Sequence, residues 1–287
     1  MVPVEERARA KVNLDLRIAG RRADGYHELD SLVVFAQAAD RLTFERHDEL
    51  RLEVGGPFAP ALLDASDNLV LRAARRLAGL AGRRPAGLIR LTKHLPVAAG
   101  LGGGSADAAA ALRGLDRLWG LGLPLADLLP VAVGLGADVP VCLIGRPARL
   151  RGIGERLEAV VGLPELALLL VNPRRPVATA VGFAGLGPIR QAPARGLPPP
   201  EDRTRLLAWL RASGNDLEAP ARRLEPVIGR VLAALAAQPG CDLARMSGSG
   251  ATCFAIFPSL DAAGTAATAI RRAHPDWWTM ASLAEGS

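Results

Sequence analysis

The sequence predicts an α+β fold in two domains, because strand-like and helix-like patterns occur in both halves of the chain. In the segment KVNLDLRI near the start, apolar and polar residues alternate, as in a strand. Further along, the segment LVLRAARRLAGL repeats apolar residues at helical spacing. A chain of 287 residues can form two domains. We place the boundary in a connector near residue 160, which gives domains 1–160 and 161–287.

The N-terminal half begins with this strand, which places Lys11 and Asn13 two residues apart on one face. Asp24 and Gly25 form a dipeptide that is typical of a hairpin turn. Asp67 or Asn68 can cap the helix LVLRAARRLAGL. Further strands are predicted at 32–35, 41–45, 51–54 and 88–91, and further helices at 105–119 and 125–135.

The C-terminal half begins with a hairpin-like connector, RGIGERLEAVVGLPE. A stretch rich in Pro, Gly and Arg at 184–200 is predicted to be an exposed loop. The other predicted elements are a strand at 166–171, helices at 202–212, 216–223 and 226–237, the strand CFAIF, a helix at 260–272 and a short final strand.

The composition indicates a globular protein of the cytoplasm. Hydrophobic residues make up 49% and charged residues 22%, which excludes a disordered or fibrous chain. No apolar run approaches the roughly 20 residues of a membrane span, and the start shows no secretory signal. Cys142, Cys241 and Cys253 are odd in number and form no CxxC pair, which argues against a disulfide framework or a zinc site. We expect no membrane partner, and the pattern specifies no oligomeric state.

The net charge of +6 is compatible with nucleic-acid binding, but its distribution favours a solvated arginine-rich surface. The basic residues are scattered, with no aromatic residues between them for base stacking. Of the 35 basic residues only Lys11 and Lys93 are lysines, and Asn is scarce, which indicates a GC-rich coding bias. A lysine, an asparagine or the single tyrosine, Tyr26, is therefore a candidate for a specific role.

The strongest local signal is a glycine loop within KHLPVAAGLGGGSADAAAAL. Gly100, Gly102, Gly103 and Gly104 precede an alanine-rich helix that is predicted to begin at Ser105. Such a loop exposes N–H groups, lacks Cβ atoms that would block a phosphate, and lies at the positive end of the helix dipole. It matches neither Walker A nor GxGxxG. The loop predicts an anion or nucleotide site, and the alternative is a flexible turn.

Other features allow a structural or a functional interpretation. Asp138 lies in the turn GADVP, where spacing alone favours a helix-capping role. The loop MSGSGAT can close over phosphates or connect a helix to a strand. Tyr26 and His27 follow the Asp-Gly turn and can present a flat ligand with stacking and hydrogen bonds. The remaining histidines have no metal-ligand spacing.

Taken in order, six segments resemble the GHMP kinase superfamily. They are AKVNLDLRIAGRRADGYHEL, NLVLRAARRL, KHLPVAAGLGGGSADAAAAL, GADVPVCL, NDLEAPA and MSGSGATCFAIF, and together they span residues 8–257. The glycine loop and SGSGA are superfamily-level signals. The start, through DGYHEL, is specific to the members that phosphorylate the C2 hydroxyl group of a cytidine-diphosphate-linked methylerythritol, in the non-mevalonate route to isoprenoid precursors.

The resemblance implies a two-domain GHMP-kinase-like fold, with an N-terminal ribosomal-protein-S5-like domain and a C-terminal ferredoxin-like domain. It implies an ATP-dependent kinase in which Asp138 is the general base and Lys11 is its electrostatic partner. By the same analogy, the substrate-binding residues are Asn13 on the strand of Lys11 and, around the cytosine, Tyr26, His27 and Phe183.

The nucleotide site is also implied by the resemblance. The triphosphate contacts carry over to Pro96, Val97, Ala98, Ala99, Gly100, Leu101, Gly102, Gly103, Gly104, Ser105 and Ala106, and Asn68 and Lys93 lie near the adenosine. ATP and Mg²⁺ are the implied cofactors, with Ser105 as the candidate magnesium ligand. The family usually has a second serine where this chain has Ala106, which leaves the magnesium ligation open. The negative charge of Asp107 interacts favourably with the helix dipole but repels phosphate.

Two alternatives stay open. Another GHMP kinase, acting on mevalonate, homoserine or a sugar, shares the glycine loop but does not need Tyr26, His27 or Phe183. The second alternative is a basic nucleic-acid-binding protein. This hypothesis agrees with the net charge and predicts strongly salt-dependent binding, but it does not explain the glycine loop and Asp138. We therefore expect a small-molecule substrate and no nucleic-acid partner.

Overall fold

The computed structural model describes residues 3–23, 25–62, 68–177, 186, 196 and 202–286. The strands in these residues are β1 (Val4–Asn13), β2 (Arg17–Arg21), β3 (His27–Glu45), β4 (Leu50–Gly55), β5 (Gly87–Thr92), β6 (Ala148–Gly152), β7 (Arg156–Ala159), β8 (Leu166–Asn172), β9 (Leu243–Met246), β10 (Cys253–Phe257) and β11 (Trp278–Ala284). The helices are α1 (Leu69–Leu80), α2 (Gly103–Trp119), α3 (Leu125–Leu135), α4 (Val139–Ile144), α5 (Arg203–Arg211), α6 (Glu218–Leu224), α7 (Val227–Ala236) and α8 (Leu260–Ala273).

The chain forms two compact units whose segments alternate along the sequence. Unit one comprises Met1–Ala10, Ala39–Val97 and Gly102–Gly145, and unit two comprises Lys11–Ala38, Ala98–Leu101 and Arg146–Ser287. Strands β1 and β3 and the glycine loop therefore contribute residues to both units. The domain boundary near residue 160 stays a prediction. Within the described ranges, no helix has both the length and the apolar character needed to cross a membrane.

Unit one combines part of β3 with β4, β5 and the helices α1 to α4. Strand β5 pairs in parallel with β4 and antiparallel with residues 41–45 of β3. Small residues let α2 pack closely: the alanines at 108–111 are fully buried. A Cβ atom on Gly114 would lie 2.2 Å from Cε2 of Phe44, so only glycine leaves room for this ring. The helix that follows the glycine loop is therefore fixed in the core of unit one.

Unit two contains an antiparallel sheet in the order β11-β8-β10-β9. Numbered along the chain, these four strands take positions 4-1-3-2, and helices follow the first and the third strand. This βαββαβ order is that of a ferredoxin-like domain. The core of the unit joins residues of the sheet with residues of α7 and α8, among them Leu169, Val171, Phe257, Ile228 and Ile270.

A second set of strands in unit two carries the hairpin that was predicted at Gly25. Strands β2 and β3 pair antiparallel, and the N–H of Gly25 donates to the carbonyl of Arg22 in the turn between them (3.0 Å). Residues 29–33 of β3 also pair with β6, which pairs with β7. Strands β6 and β7 form the separate hairpin that was predicted for the connector RGIGERLEAVVGLPE, and the connector contributes β7, its second strand.

The mixed α/β class is confirmed, and each predicted helix begins and ends within two residues of its observed bounds. Three predictions about strands were wrong. The strands predicted at 32–35 and 41–45 are one 19-residue strand, β3, because pairing with β11 at Ala36 and with β5 from Arg41 continues the ladder across the gap.

The single N-terminal strand is instead divided between β1 and β2. Residues between them bond to other segments: the N–H of Leu14 donates to Leu32 and that of Leu16 to Gly214. Strand β9 was missed, because it has only four residues.

Candidate active site

Lys11 and Asn13 lie at the end of β1, in unit two. Both side chains are almost completely buried, at 4% and 3% exposure. The N–H of Lys11 donates to the carbonyl of Leu101 (2.9 Å), and the N–H of Asn13 donates to Oγ of Ser247 (3.1 Å). The end of β1 is therefore tied both to the first part of the glycine loop and to the loop MSGSGAT.

These two loops also bond directly to each other in unit two. Oγ of Ser247 donates to the carbonyl of Gly100 (2.9 Å), and the N–H of Thr252 donates to that of Ala99 (3.1 Å). Asn215 holds the second loop, since its Nδ2 donates to the carbonyls of Met246 and Gly248 (2.8 Å each). The second loop joins β9 to β10, so it connects two strands rather than a helix and a strand.

The amide of Asn13 leaves one buried acceptor open. Its Nδ2 donates to Oγ of Ser31 (2.8 Å). Its Oδ1 is buried and has no hydrogen-bond partner among the residues that the structure describes. A Cβ atom on Gly248 would lie 3.3 Å from this oxygen, so the glycine keeps the space beside it open. Because a buried acceptor without a donor is costly, this oxygen is a candidate ligand contact.

Unit one holds the second part of the glycine loop, where α2 begins. Gly102 adopts a left-handed conformation (φ 62°) directly before the helix, and as the N-cap residue it has no side chain that could cap the helix start. The first N–H groups of a helix have no partner within it, and they lie at the positive end of the dipole. Gly103 and Gly104 carry no side chain over these groups, and the Ser105 side chain is partly exposed. This part of the predicted nucleotide loop can therefore hold an anion.

Lys93 is buried between two carboxylates of unit one. Its Nζ donates to Oδ2 of Asp40 and to Oδ2 of Asp107 (2.7 Å for the latter). The N–H groups of His94 and Leu95 donate to Oδ1 of Asp40 (2.6 and 2.8 Å). Residues 93 and 107 flank the glycine loop, so this cluster ties its two ends together. Burial raises the pKa of Asp107 to about 7, against the charge of Lys93. The pairing with Lys93 explains why an acidic residue lies close to the glycine loop, which the sequence alone does not explain.

Asn68 and Asp138 both stand at helix starts in unit one, with different roles there. Oδ1 of Asn68 accepts from the N–H of Val70 (2.9 Å), so Asn68 caps α1 as predicted. Asp138 occupies the N-cap position of α4, but its carboxylate makes no capping hydrogen bond. The helix-capping role that spacing favoured for Asp138 is therefore wrong. The nucleotide role of Asn68 and the catalytic role of Asp138 stay predictions.

Tyr26 and His27 lie where the hairpin turn enters β3. The carbonyl of Tyr26 accepts from the N–H of Arg22 (2.7 Å), and 61% of Tyr26 is exposed. Burial and the charge of Arg21 lower the pKa of His27, so its imidazole is neutral at pH 7. The pair can offer an aromatic face and a neutral ring that donates and accepts hydrogen bonds. Phe183, the third predicted cytosine contact, lies outside the described residues.

Gly100 has less space for a side chain than Gly103 or Gly104 of the same glycine loop. It has φ +74°, and a Cβ atom there would lie 2.3 Å from the carbonyl oxygen of Ser247. We expect Gly100→Ala to lower the free energy of unfolding by about 2–5 kcal/mol, since backbone strain and overpacking add. Urea unfolding measures this loss. Gly122→Ala is the matched control, because Gly122 has φ +63° with nothing within 4 Å. Equal losses in the two variants would contradict the contact with Ser247.

Three side chains that arrange this site, Ser31, Ser247 and Asn215, were given no individual role in the predictions, although Ser247 lies in the loop MSGSGAT and Asn215 in the segment NDLEAPA. Each acts on residues far away along the chain, so no local spacing marks them. Asn215 could have been found from the scarcity of asparagine. The chain has four, and the side chains of all four, Asn13, Asn68, Asn172 and Asn215, make hydrogen bonds.

The two halves of the chain match the two domains of one group of known kinases. Residues 68–146 match the GHMP kinases N terminal domain, and residues 200–276 match GHMP kinases C terminal. The solved structure of a homoserine kinase from Cytophaga hutchinsonii is 21% identical with a TM-score of 0.75, over 99% of this chain and 95% of that one. At this identity the likeness shows the fold.

Several relatives are much more similar. The 4-diphosphocytidyl-2-C-methyl-D-erythritol kinase of Parvibaculum lavamentivorans is 52% identical over 99% of both chains. That of Rhodospirillum rubrum is 52% identical over 97% of this chain and 91% of its own. A solved structure of a 4-(cytidine 5′-diphospho)-2C-methyl-D-erythritol kinase is 36% identical, with a TM-score of 0.80, over 98% of this chain and 100% of that one. The chain therefore belongs to the 4-diphosphocytidyl-2-C-methyl-D-erythritol kinase family of the GHMP kinases.

Proposed function

We propose that this chain transfers the γ-phosphoryl group of ATP to the C2 hydroxyl group of 4-diphosphocytidyl-2-C-methyl-D-erythritol. The products are the 2-phosphate and ADP, and the step belongs to the non-mevalonate route to isoprenoid precursors. Family membership at 52% identity supports the reaction. The structural observation that carries it is the buried Oδ1 of Asn13, which has no hydrogen-bond partner among the described residues and lies on the same short stretch of β1 as Lys11. A polyol can donate a hydrogen bond to that oxygen.

In this proposal Asp138 is the general base that takes the proton of the C2 hydroxyl group. Lys11 supplies positive charge, which offsets the charge of the transferring phosphoryl group. The rest of catalysis is alignment, since phosphoryl transfer requires little covalent chemistry from the protein. The bonds that fix β1 against both loops of unit two serve this alignment.

The glycine loop is proposed to bind the triphosphate of ATP through main-chain N–H groups at the start of α2. Within the described ranges no group of three or more His, Cys, Asp or Glu side chains could hold a metal ion. The carboxylate of Asp107 is buried in its pair with Lys93. The partly exposed Ser105 fits a magnesium ion that is bound mainly by the phosphates of ATP. In such sites Mg²⁺ usually has few protein ligands beside phosphates and water. Bound there, the ion would neutralise phosphate charge.

Tyr26→Ala tests the proposed cytosine site. Loss of an aromatic stacking face is expected to raise KM for the cytidylated acceptor by about tenfold or more. KM for ATP should stay within about twofold, because only the acceptor carries cytosine. Tyr26→Phe is the matched control, since it keeps the ring and should keep the KM of the unchanged enzyme. Equal increases in both KM values for Tyr26→Ala would exclude the cytosine role. Steady-state kinetics with each substrate varied in turn gives the comparison.

The reaction itself is tested by ADP release from Mg·ATP with 4-diphosphocytidyl-2-C-methyl-D-erythritol. Methylerythritol phosphate, mevalonate and homoserine are run beside it as acceptors. Turnover with the cytidylated alcohol alone is the expected result. Turnover with another alcohol would keep the kinase and discard the cytosine site, and no turnover with any acceptor would overturn the proposal.

A further inference from the structure

The hydrogen bonds that run from Asn13 to Asp15 in unit two can point in one direction only. Oγ of Ser31 lies 2.5 Å from the main-chain carbonyl oxygen of Asp15 and 2.8 Å from Nδ2 of Asn13. A carbonyl oxygen accepts and cannot donate, so the single hydroxyl hydrogen of Ser31 must go to Asp15. Oγ of Ser31 can then only accept from its other neighbour.

This direction fixes how the amide of Asn13 is turned. Only the NH₂ group of an asparagine donates, so it must face Ser31, and Oδ1 must face the opposite side. Turned the other way, two acceptors would meet in a buried place, where Ser31 is 1% exposed. The side chain of Asn13 therefore presents its carbonyl oxygen, which finds no donor within the described part of the chain, beside Gly248.

The carbonyl of Asp15 that begins this chain of bonds is itself held in place. Oδ1 of the Asp15 side chain accepts from the N–H of Leu32 (2.6 Å), and the guanidinium of Arg149 lies beside the same carboxylate (Nη1 to Oδ2, 3.4 Å). One residue earlier, the carbonyl of Leu14 accepts from Nη1 of Arg245 (2.6 Å). With the side chain of Asp15 and the carbonyl of Leu14 both anchored, Ser31 meets a fixed acceptor.

We propose that Ser31 is a positioning residue that turns the amide of Asn13 so that its Oδ1 accepts a hydrogen bond from a hydroxyl group of the alcohol substrate. The inference rests on the proposed function and adds to it a requirement for one particular hydroxyl group of the substrate. The site selects a donor at this place, which is a hydroxyl group of the polyol other than the one phosphorylated. An acceptor substrate that lacks this hydroxyl group leaves Oδ1 unsatisfied. Without Ser31 the amide can turn and tolerate the loss.

The test compares substrates with and without the hydroxyl groups at C1 and C3 of the polyol. Wild-type turnover of the parent acceptor is measured first and tests the proposed function on its own. With the wild type, we expect one of the two deoxy analogues to lose about tenfold or more in kcat/KM, since a buried acceptor is left without its donor. With Ser31→Ala, kcat/KM for the parent should fall by a similar factor, and the difference between parent and analogue should shrink below about threefold.

Two further variants separate positioning from stability. Ser282→Ala is the matched control, because Ser282 is also a buried serine of unit two (5% exposed), and its hydroxyl bonds to two main-chain groups of the described residues, Ala38 N and Leu283 O. It should keep the full penalty for the deoxy analogue. Ser31→Thr retains the hydroxyl group and should restore the penalty. An unchanged analogue penalty in Ser31→Ala, with the parent still turned over by the wild type, would overturn the inference and leave the proposed function intact.

Discussion

Asp138→Asn is expected to lower kcat by about 10³-fold or more, while KM for ATP stays within about twofold. Asparagine matches aspartate in shape but cannot take up the proton of the C2 hydroxyl group. The structure makes this substitution a clean test, because the carboxylate of Asp138 makes no capping hydrogen bond at α4. Removal of its charge should therefore leave the helix in place, and the loss should appear in the rate of the chemical step.

The matched control for this substitution is Asp127→Asn. Asp127 is an exposed acid in the first turn of α3, also in unit one, so the change removes the same charge at another helix start. Its kcat should be unchanged within about twofold. Single-turnover measurements with saturating Mg·ATP and the cytidylated acceptor give the rate of phosphoryl transfer directly. If Asp138→Asn keeps more than about a tenth of the wild-type rate, Asp138 is not the general base.

Features carried by neighbouring residues could be predicted from the sequence. The asparagine cap before LVLRAARRLAGL gave the start of α1, because an N-cap acts on an N–H group only two residues away. The glycine loop and the helix after it were predicted for the same reason. Helix α2 begins at Gly103 rather than Ser105, since glycines without side chains can still adopt the first turn.

Features made by distant residues could not be predicted. The place of Lys93 near the adenosine stays a prediction. The position of its Nζ between Asp40, 53 residues earlier, and Asp107 could not be read from the local sequence. Ser247 joins a strand and a loop that are 234 and 147 residues away. A local pattern reports which side chains share a face, and it does not report which carboxylate or hydroxyl another segment brings to that face. The alternation around Asn13 thus predicted a strand and gave no sign of Ser31.

Arg149→Met is expected to lower the free energy of unfolding by about 3–5 kcal/mol. Arg149 is completely buried in unit two. Its Nε donates to Oδ1 of Asp30 (2.5 Å), its Nη1 lies 3.4 Å from Oδ2 of Asp15, and its guanidinium lies 5.2 Å from the centre of the Trp209 ring. Methionine can fill much of the space but brings no charge. Buried Asp15 would then lose the arginine beside it, and Asp30 would keep only the more distant, partly exposed Arg151 (Nε to Oδ1, 3.6 Å). The loss therefore exceeds that of a surface pair.

Arg90→Met is the matched control for this loss. Arg90 also pairs with two carboxylates, those of Glu45 and Glu53, but 44% of its side chain is exposed. Its removal should change the free energy of unfolding far less than Arg149→Met does, because water screens the pair. Urea unfolding at fixed pH compares the two variants, and equal changes would contradict a buried ion cluster at Arg149.

The stability lost in Arg149→Met should also depend on pH, and the pKa of Asp15 sets the direction of this dependence. Burial raises the pKa of Asp15 above its ordinary value, and the charge of Arg149 opposes this shift. Without Arg149 the pKa must rise further, so the folded variant binds a proton that the unfolded chain releases above about pH 4. Its stability therefore falls as pH rises through the window between these two pKa values. The deficit relative to the wild type should be smaller at pH 5 than at pH 8. An equal deficit at the two pH values would show that the pKa of Asp15 does not rise without its arginine.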